Sequence, residues 1–467
     1  MFFLQPLSTI KEFVQQLSKS LVELDAPPLT SAQKLWLSVC ITGIIVTNSV
    51  CWKKFERAGF GKYGGGTLSA MFRRSKFTWD KLLVASVSHV LKQYEITEGL
   101  LALDGTDNHR SKNTKRIGKA HKIKDKTTGG FINGQALTIL VLITNKVTIP
   151  VGFEFYEPDP DYVSWKNNDK QLKKQGVPKK ERPKQPQKKE NYKSTIEVAI
   201  STLETFKNQF PNITVKAILA DAFYGAKTFY KPVKKSYPST QIISQAKKNQ
   251  KVLVRGKSIT VEEYFVRNPG VPKQLKIRGG DEQTVSIHGA RLHLNAHGCK
   301  RFIIALKYEG EMEYRYLLAS DLSWRLTDIA STYTFRWLVE VFIQDWKSYE
   351  GWCQLAKQPG DDGSCRGVIL SLLVDHALLL HPEQLALINN KLPAATVGSL
   401  RDRERAQAVL DAIESLINAQ ENSKTIITDL QECIKDAIPL RSSKKHMNNR
   451  ELGRIEPTPA LEYLNAA

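Results

Sequence analysis

Thr332-Tyr333-Thr334-Phe335-Arg336-Trp337-Leu338-Val339-Glu340-Val341-Phe342-Ile343-Gln344-Asp345-Trp346-Lys347 is the most informative stretch of this 467-residue sequence. At about 100° per residue, Tyr333, Arg336, Glu340, Gln344 and Lys347 fall within roughly one quarter of a helix circumference, while Leu338, Val339, Phe342 and Trp346 cover the flanks and the opposite side. The spacing predicts one helix that packs with one face and does chemistry with the other. A solvated stripe would be the ordinary explanation, and Arg336 to Glu340 alone would fit it. A row of tyrosine, arginine, one carboxylate and lysine is not a salt-bridge ladder, however. Asp345 points away from the Glu340 face.

Working outward, Leu100-Leu101-Ala102-Leu103 is a short apolar run ended by Asp104-Gly105-Thr106-Asp107, which reads as a buried strand with a carboxylate at its carboxyl end. Asp104 and Asp107 both qualify as that carboxylate. Val215-Lys216-Ala217-Ile218-Leu219-Ala220 repeats the arrangement and ends at Asp221, before Ala222-Phe223-Tyr224-Gly225 turns the chain. Strands are expected at 134–143 and 147–154, joined by a tight turn at Asn145-Lys146, and a helix at 194–208, with a further short strand at 241–245. Alternation of strand and helix argues for an α/β layer. Asp125, inside Lys124-Asp125-Lys126, reads as part of a charged loop.

Between 251 and 319 the period becomes two, with strands expected at 285–288, 291–294, 302–306 and 314–318, a β-rich insertion. His288, His293, His297 and Cys299 lie close enough in sequence to raise a zinc site, but their spacing matches no standard one and alternating strand faces would scatter them. Residues 157–193 interleave prolines with lysines and break every periodicity. They read either as a mobile solvated loop or as an electrostatic arm that follows a DNA backbone without base specificity. Residues 8–95 show helical spacing broken at Asp25-Ala26-Pro27-Pro28 and Gly64-Gly65-Gly66. Lys53, Lys54, Arg57, Arg73, Arg74 and Lys76 sit around its turns, as in a helix-turn-helix gripping phosphates or on a merely solvated face. A buried helix is expected at 365–376 and two amphipathic helices at 396–437, followed by a basic tail with Arg441, Lys444, Lys445, Arg450 and Arg454.

The bulk properties agree with a nucleic-acid partner: the formal net charge is +21, while 41% apolar residues suffice for real cores and exclude a disordered polycation. Six cysteines without CxxC spacing, and an N-terminus without the regions of a signal peptide, predict a reduced, cytoplasmic protein. The apolar run 35–46 is too short to span a bilayer and reads as a buried helix.

Tyr333, Arg336, Glu340 and Lys347 stand in the spacing Tyr-x2-Arg-x3-Glu-x6-Lys, and in this the sequence resembles the DDE transposases of bacterial insertion sequences, in the IS-four family branch marked by that motif. The similarity extends to the Asp104-Gly105-Thr106 strand end, to Asp221 and to the β-rich insertion, over about residues 95–380. The resemblance implies an RNase H-like α/β core in which Asp104, Asp221 and Glu340 meet, with Asp104 preferred over Asp107. It also implies two Mg²⁺ or Mn²⁺ ions per site, a choice that hard carboxylate oxygens support. Tyr333, Arg336 and Lys347 would contact the DNA strand at the transposon end. The implied reaction is cleavage of transposon ends and strand transfer into target DNA, in this branch commonly through a hairpin with an unstacked base held by an aromatic side chain, for which Tyr314, Tyr316 and Trp324 are candidates. The implied partners are double-stranded DNA, as terminal inverted repeats and target, and a second subunit in a homodimer on paired ends.

The expected organisation is a helical DNA-binding domain at 1–95, a core split between 96–250 and 320–380, the insertion at 251–319 and a helical region at 381–467. A catalytically inactive, domesticated DNA-binding relative and an RNase H-fold nuclease are the alternatives. Retention of all three carboxylates with Tyr333, Arg336 and Lys347 favours the transposase.

Overall fold

Side chains alternating between two buried faces define the centre of the molecule. The computed structural model describes residues 1–110, 116–125, 128–277, 282–355, 359–392 and 394–419. Helices α1 (Ser8–Glu23), α2 (Ser31–Thr47), α3 (Trp52–Ala58), α4 (Gly65–Arg74) and α5 (Trp79–Gln93) come first. Ile10, Phe13, Val14, Leu17 and Leu21 give α1 its buried stripe, and a capping box between Thr30 and Gln33 starts α2. Trp36, Trp52, Phe72, Phe77 and Trp79 form an aromatic cluster among them.

Strands β1 (Glu98–His109), β2 (His121–Lys124), β3 (Phe131–Ile143) and β4 (Thr148–Tyr156) follow, then helices α6 (Pro160–Lys174) and α7 (Thr195–Gln209). Next are β5 (Thr214–Leu219), α8 (Lys227–Ser236), β6 (Gln241–Gln245), β7 (Lys251–Val254), β8 (Lys257–Thr260), α9 (Val261–Arg267), β9 (Val271–Lys276), β10 (Glu282–Leu294), β11 (Cys299–Tyr308) and β12 (Arg315–Ala319). The described chain ends with α10 (Leu326–Thr334), α11 (Trp337–Tyr349), α12 (Gly360–Leu379), α13 (Pro382–Asn389) and α14 (Val397–Ala419).

All twelve strands belong to one mixed sheet, ordered β2-β3-β1-β5-β6-β12-β11-β10-β7-β8, with β4 also on β3 and β9 also on β10. β1 is antiparallel to β3 and parallel to β5, which is parallel to β6. Parallel strands are covered on both faces, which explains the unbroken apolar run Leu100–Leu103. Ala102, Ile139, Val141 and Leu219 enter a core shared with α11, α12 and the N-terminal helices. Leu101, Leu103, Leu140 and Ile218 point the other way, against α7 and α8. The strands of 251–319 extend this sheet, β12 pairing with β6.

Two sequence expectations change. Residues 285–294 form one strand, because Gly289 and Ala290 stay paired with Ile304 and Ile303, and the missing side chain of Gly289 admits Leu326 and Phe302. Residues 157–193, read as lacking regular structure, contain α6: Asp159 caps its first turn, Pro160 occupies a first-turn position, and Trp165 Nε1 donates to the Pro183 carbonyl at 2.8 Å. No residue of α6 is buried. Helix α14 covers the first part of 396–437; the rest, with the basic tail and Cys433, lies outside the described residues. No single helix among the described residues is long and apolar enough to cross a membrane.

Helix α11 is fixed from behind. Trp346 stacks on Trp352 with ring centroids 4.4 Å apart, and its Nε1 donates to Ser371 of α12 at 2.7 Å. The Ser371 hydroxyl donates in turn to the Glu350 carbonyl at 2.6 Å. The Glu350 side chain is fully buried and meets the carboxyl of Asp375 on α12, with no N–H donor among the described groups. Burial first, and neighbouring acidic groups second, push Glu350 well above the carboxylate range; burial pushes Asp375 up to about 8. The folded chain therefore holds protons that the unfolded chain releases near pH 4, and the stability they secure is lost as pH rises from about 4 through about 8. Asp375→Asn is expected to raise the melting temperature more at pH 8 than at pH 5. An equal shift at both values, measured by thermal denaturation, would contradict this.

Candidate active site

The site grows from strand register. Ala102 of β1 lies beside Leu219 of β5, and two residues further along each strand stand Asp104 and Asp221. Neighbouring strands are about 4.8 Å apart, so Asp221 comes beside Asp104 just past the end of β5; β1 itself does not end at Asp104, as its sequence suggested, but runs on to His109 because β3 continues to pair with it. Local backbone fixes both: Asp104 accepts from the Gly105 N–H at 2.7 Å, and Asp221 accepts from the Phe223 N–H at 2.9 Å, starting the short 3-10 turn 222–224.

Glu340 arrives in the first turn of α11, which packs Val339, Phe342 and Trp346 into the core shared with Ala102. The expected single helix is interrupted. Phe335 and Arg336 separate α10 from α11, and the bonds Arg336 N–H to Tyr333 carbonyl and Val339 N–H to Arg336 carbonyl span three residues instead of four. The chain stays right-handed but tightens there. Tyr333 consequently closes α10 and donates its hydroxyl to the Ala220 carbonyl at 3.2 Å, beside Asp221. Burial pushes the Tyr333 hydroxyl far above its usual range, keeping it a donor.

Arg336, at the start of α11, joins the carboxylates. Its guanidinium donates to Asp104 at 3.2 Å and to Glu340, one turn along the helix. Burial is the largest influence on Asp104 and raises its pKa, followed by the opposing pull of Arg336 and the Gly105 N–H and by repulsion from Asp221 and Glu340. That mutual repulsion marks the three acidic groups as neighbours although they come from distant parts of the chain. Lys347, Gln344 and Ser348 line the cleft with Asp104, Gly105, Thr106, Asp107 and Glu340, and the space above Gly105 is open.

Among the described residues, no three or more His, Cys, Asp or Glu side chains are arranged to close on one ion. At this site the guanidinium of Arg336 takes oxygens that would face a cation. The donor set nevertheless suits a hard divalent ion: Mg²⁺ keeps several waters and needs only one or two carboxylates besides substrate phosphate oxygens. A cation would also relieve the repulsion felt by Asp104.

Of the other sequence candidates, Asp107 lines the same cleft, further along β1 and level with Ala136, but Arg336 engages Asp104; the rest fall elsewhere. Asp125 accepts from Thr128 in the turn between β2 and β3, and Asp345 sits near Glu350 and Asp375. His288 bonds the Asn268 carbonyl, whereas His297 lies between the Gly225 carbonyl and Arg301. Tyr316 is buried against Phe265; the Tyr314 hydroxyl accepts from the Gly270 N–H, and Trp324 packs on the core. Asn108, unnoticed in the sequence, is buried and donates to the Trp352 carbonyl, tying β1 to the end of α11. Its signal was the alternation Asp104-Thr106-Asn108, polar groups continuing the face of β1 on which Ala102 enters the core.

No protein-family model matches the sequence, and no curated protein sequence matches it. Among solved structures, the chain is similar to a piggyBac transposase in a synaptic complex with hairpin DNA, with 10% identity and a TM-score of 0.45 over 98% of this chain and 92% of that one. It also shows similarity to the NurA nuclease from Sulfolobus solfataricus, with 10% identity and a TM-score of 0.20 over 55% of this chain and 84% of that one. No shared activity follows from likenesses of this size.

The bridging role of Arg336 is open to direct measurement. Without divalent ions, Arg336→Ala leaves Asp104 and Glu340 facing each other unpaired and is expected to cost about 1 to 2 kcal/mol. Adding Mg²⁺ should raise the melting temperature of this variant more than that of the wild type. An equal response would show that the guanidinium and the ion do not compete for the same oxygens.

Proposed function

We propose that the chain is a DNA transposase that cleaves transposon ends and joins them to target DNA, with Asp104, Asp221 and Glu340 as its metal-holding carboxylates. The observation that carries this reading is the meeting of two aspartates from neighbouring parallel strands with a helix glutamate, Asp104 and Glu340 sharing one arginine and Asp221 and Glu340 both repelling Asp104. The strand order β4-β3-β1-β5-β6, with β1, β5 and β6 parallel and β3 antiparallel, supports an RNase H-like core beneath them. The net charge of +21 supports a polyanionic substrate.

Two Mg²⁺ or Mn²⁺ ions, held by Asp104, Asp221 and Glu340, would supply activation of the nucleophile and stabilisation of the leaving oxygen. The residues of the chain would position everything else. Arg336 would leave the carboxylates for a phosphate oxygen when DNA and ions arrive, retaining a charge-assisted bond in both states. Lys347, in the last turn of α11, would offset phosphate charge from the far side of the cleft. Tyr333 would brace the Ala220–Asp221 strand end through its hydroxyl and lie beside the end strand of the DNA. In the first step a water oxygen bonds to phosphorus as the bond to the 3′ oxygen breaks, the water giving a proton to solvent and the leaving 3′ oxygen taking one up to become a hydroxyl. In the second, the freed 3′ hydroxyl repeats the in-line displacement on a target phosphate.

Residues 1–95 would bind the terminal repeats, and two subunits would pair the two ends. The test is incubation with linear DNA carrying the ends of the protein's own element in Mg²⁺, scored for nicks at the ends and for joined products. Glu340→Ala is expected to lose both by about a thousandfold or more, given the several kcal/mol that a metal contributes to transition-state charge stabilisation. Wild-type protein that nicks without joining would be a nuclease, and protein that does neither while binding the ends would be an inactive relative.

A further inference from the structure

Residues 159–193 carry eleven Lys and Arg against five Asp and Glu, and eight of the cations fall into two sets of four. One set is tied down. Arg182 pairs with Asp169 at 2.9 Å and Lys189 with Asp161 at 2.5 Å, while Lys193 reaches Glu154 on β4 and Lys188 reaches Glu197 on α7. Trp165, Asp169 and Leu172, spaced i, i+4, i+7, form the half-buried inner stripe of α6, against which the returning chain is pinned by the Trp165–Pro183 and Asp169–Arg182 bonds. The segment is thus a stapled helical hairpin with no buried core of its own.

The second set is exposed. Lys166, Lys170, Lys173 and Lys174 lie on a stripe about a third of a turn from the inner one, and none has an acidic partner among the described residues. Lys166 only rests over the Tyr162 ring, at 5.9 Å. Lysines four residues apart advance about 6 Å along a helix, close to the rise of two nucleotides along one DNA strand. Lys179, Lys180 and Lys184 of the returning chain are likewise exposed without an acidic partner among the described residues, so folding on the protein leaves seven cations of the segment for an external polyanion, four of them on this one stripe.

Strand register puts this stripe at the chemical end of the sheet. β4 is antiparallel to β3, as β1 is, so β4 and β1 run the same way. Asp104 and Phe153 flank Ile139 on either side of β3, and Tyr156, the last residue of β4, is level with Asp107 through Ala136. The hairpin therefore leaves the sheet on the edge where the carboxylates stand, about 10 Å across from β1 at the usual strand spacing.

We infer that the α6 hairpin is a sequence-independent docking surface for the backbone of target DNA, an inference that rests on reading Asp104, Asp221 and Glu340 as a DNA-processing site. The chemistry selects target over transposon end. Lysine is a flexible point charge suited to phosphates, whereas the rigid planar fork best matched to a guanine edge is arginine's, and the one arginine of the hairpin is committed to Asp169. A partner held by phosphates alone is one whose sequence does not matter.

The experiment compares wild-type protein with Lys166→Gln/Lys170→Gln/Lys173→Gln/Lys174→Gln in fluorescence-anisotropy titrations from 50 to 200 mM KCl. One probe is a 30-base-pair duplex of mixed sequence; the other carries the terminal sequence of the element. The variant is expected to melt with the wild type and to bind the mixed duplex roughly tenfold more weakly, with a salt slope lower by about 2 to 4, at nearly one unit per lost phosphate contact. Mg²⁺-dependent nicking of the ends should persist. An unchanged slope on the mixed duplex overturns the inference, as does a larger loss on the terminal duplex, which would assign the hairpin to end recognition. These binding readouts are independent of cleavage, so failure of the chemistry would appear separately, as wild-type protein that binds but never nicks. If the quadruple variant fails to fold, Lys170→Glu/Lys173→Glu is read in the same way.

Discussion

Three carboxylates cannot stand together near a sheet edge without a cation to hold them. Burial and mutual repulsion both work against the charged form of Asp104, and the arrangement persists because Arg336 reaches Asp104 and Glu340 at once. The guanidinium is a fixed charge that the chain supplies itself. Much of the surrounding structure serves to make that meeting possible. Parallel pairing of β1 with β5 aligns the two aspartates, burial of both sheet faces gives the strands their rigidity, and α11 is laid across one face so that its first turn reaches the strand ends.

Keeping α11 in place is largely the work of aromatic packing and of a polar chain behind it. The Trp346–Trp352 stack, the link from Trp346 through Ser371 to the Glu350 carbonyl, and the Asn108 bond to the Trp352 carbonyl connect helix, strand and α12 into one block. The neighbouring Glu350–Asp375 pair makes that block sensitive to pH, because two buried carboxyls in contact are stable only while protons remain.

How far the sequence reveals this varies by element. The apolar runs before Asp104 and Asp221 are read as strands, since complete burial of parallel strands leaves an unbroken hydrophobic signature; the tip position holds for Asp221, whereas β1 continues past Asp104 to His109 in pairing with β3 that the polar residues 104–109 do not signal. The helix carrying Glu340 is equally visible from its packed face, Val339, Phe342 and Trp346. What periodicity cannot express is the tightening at Phe335–Arg336. Both residues keep helical dihedrals, so the hydrophobic pattern runs on while the bonding shifts to three-residue spacing and Tyr333 turns toward Ala220. The α6 hairpin is hidden for another reason. Its order comes from a cap, a tryptophan–carbonyl bond and ion pairs to neighbouring elements, none of which leaves a core-like pattern. The single length of β10 is masked by Gly289, which normally signals a break but here makes room for Leu326 and Phe302.

The proposed joint action of Asp104, Asp221 and Glu340 on divalent metal is tested most directly by anomalous diffraction from crystals of the full chain soaked in Mn²⁺. Manganese is expected within about 2.2 Å of oxygens from Asp104 and Asp221, with Glu340 completing the cluster and Arg336 released from Asp104. Manganese bound elsewhere, with Arg336 still bridging Asp104 and Glu340, would contradict that expectation.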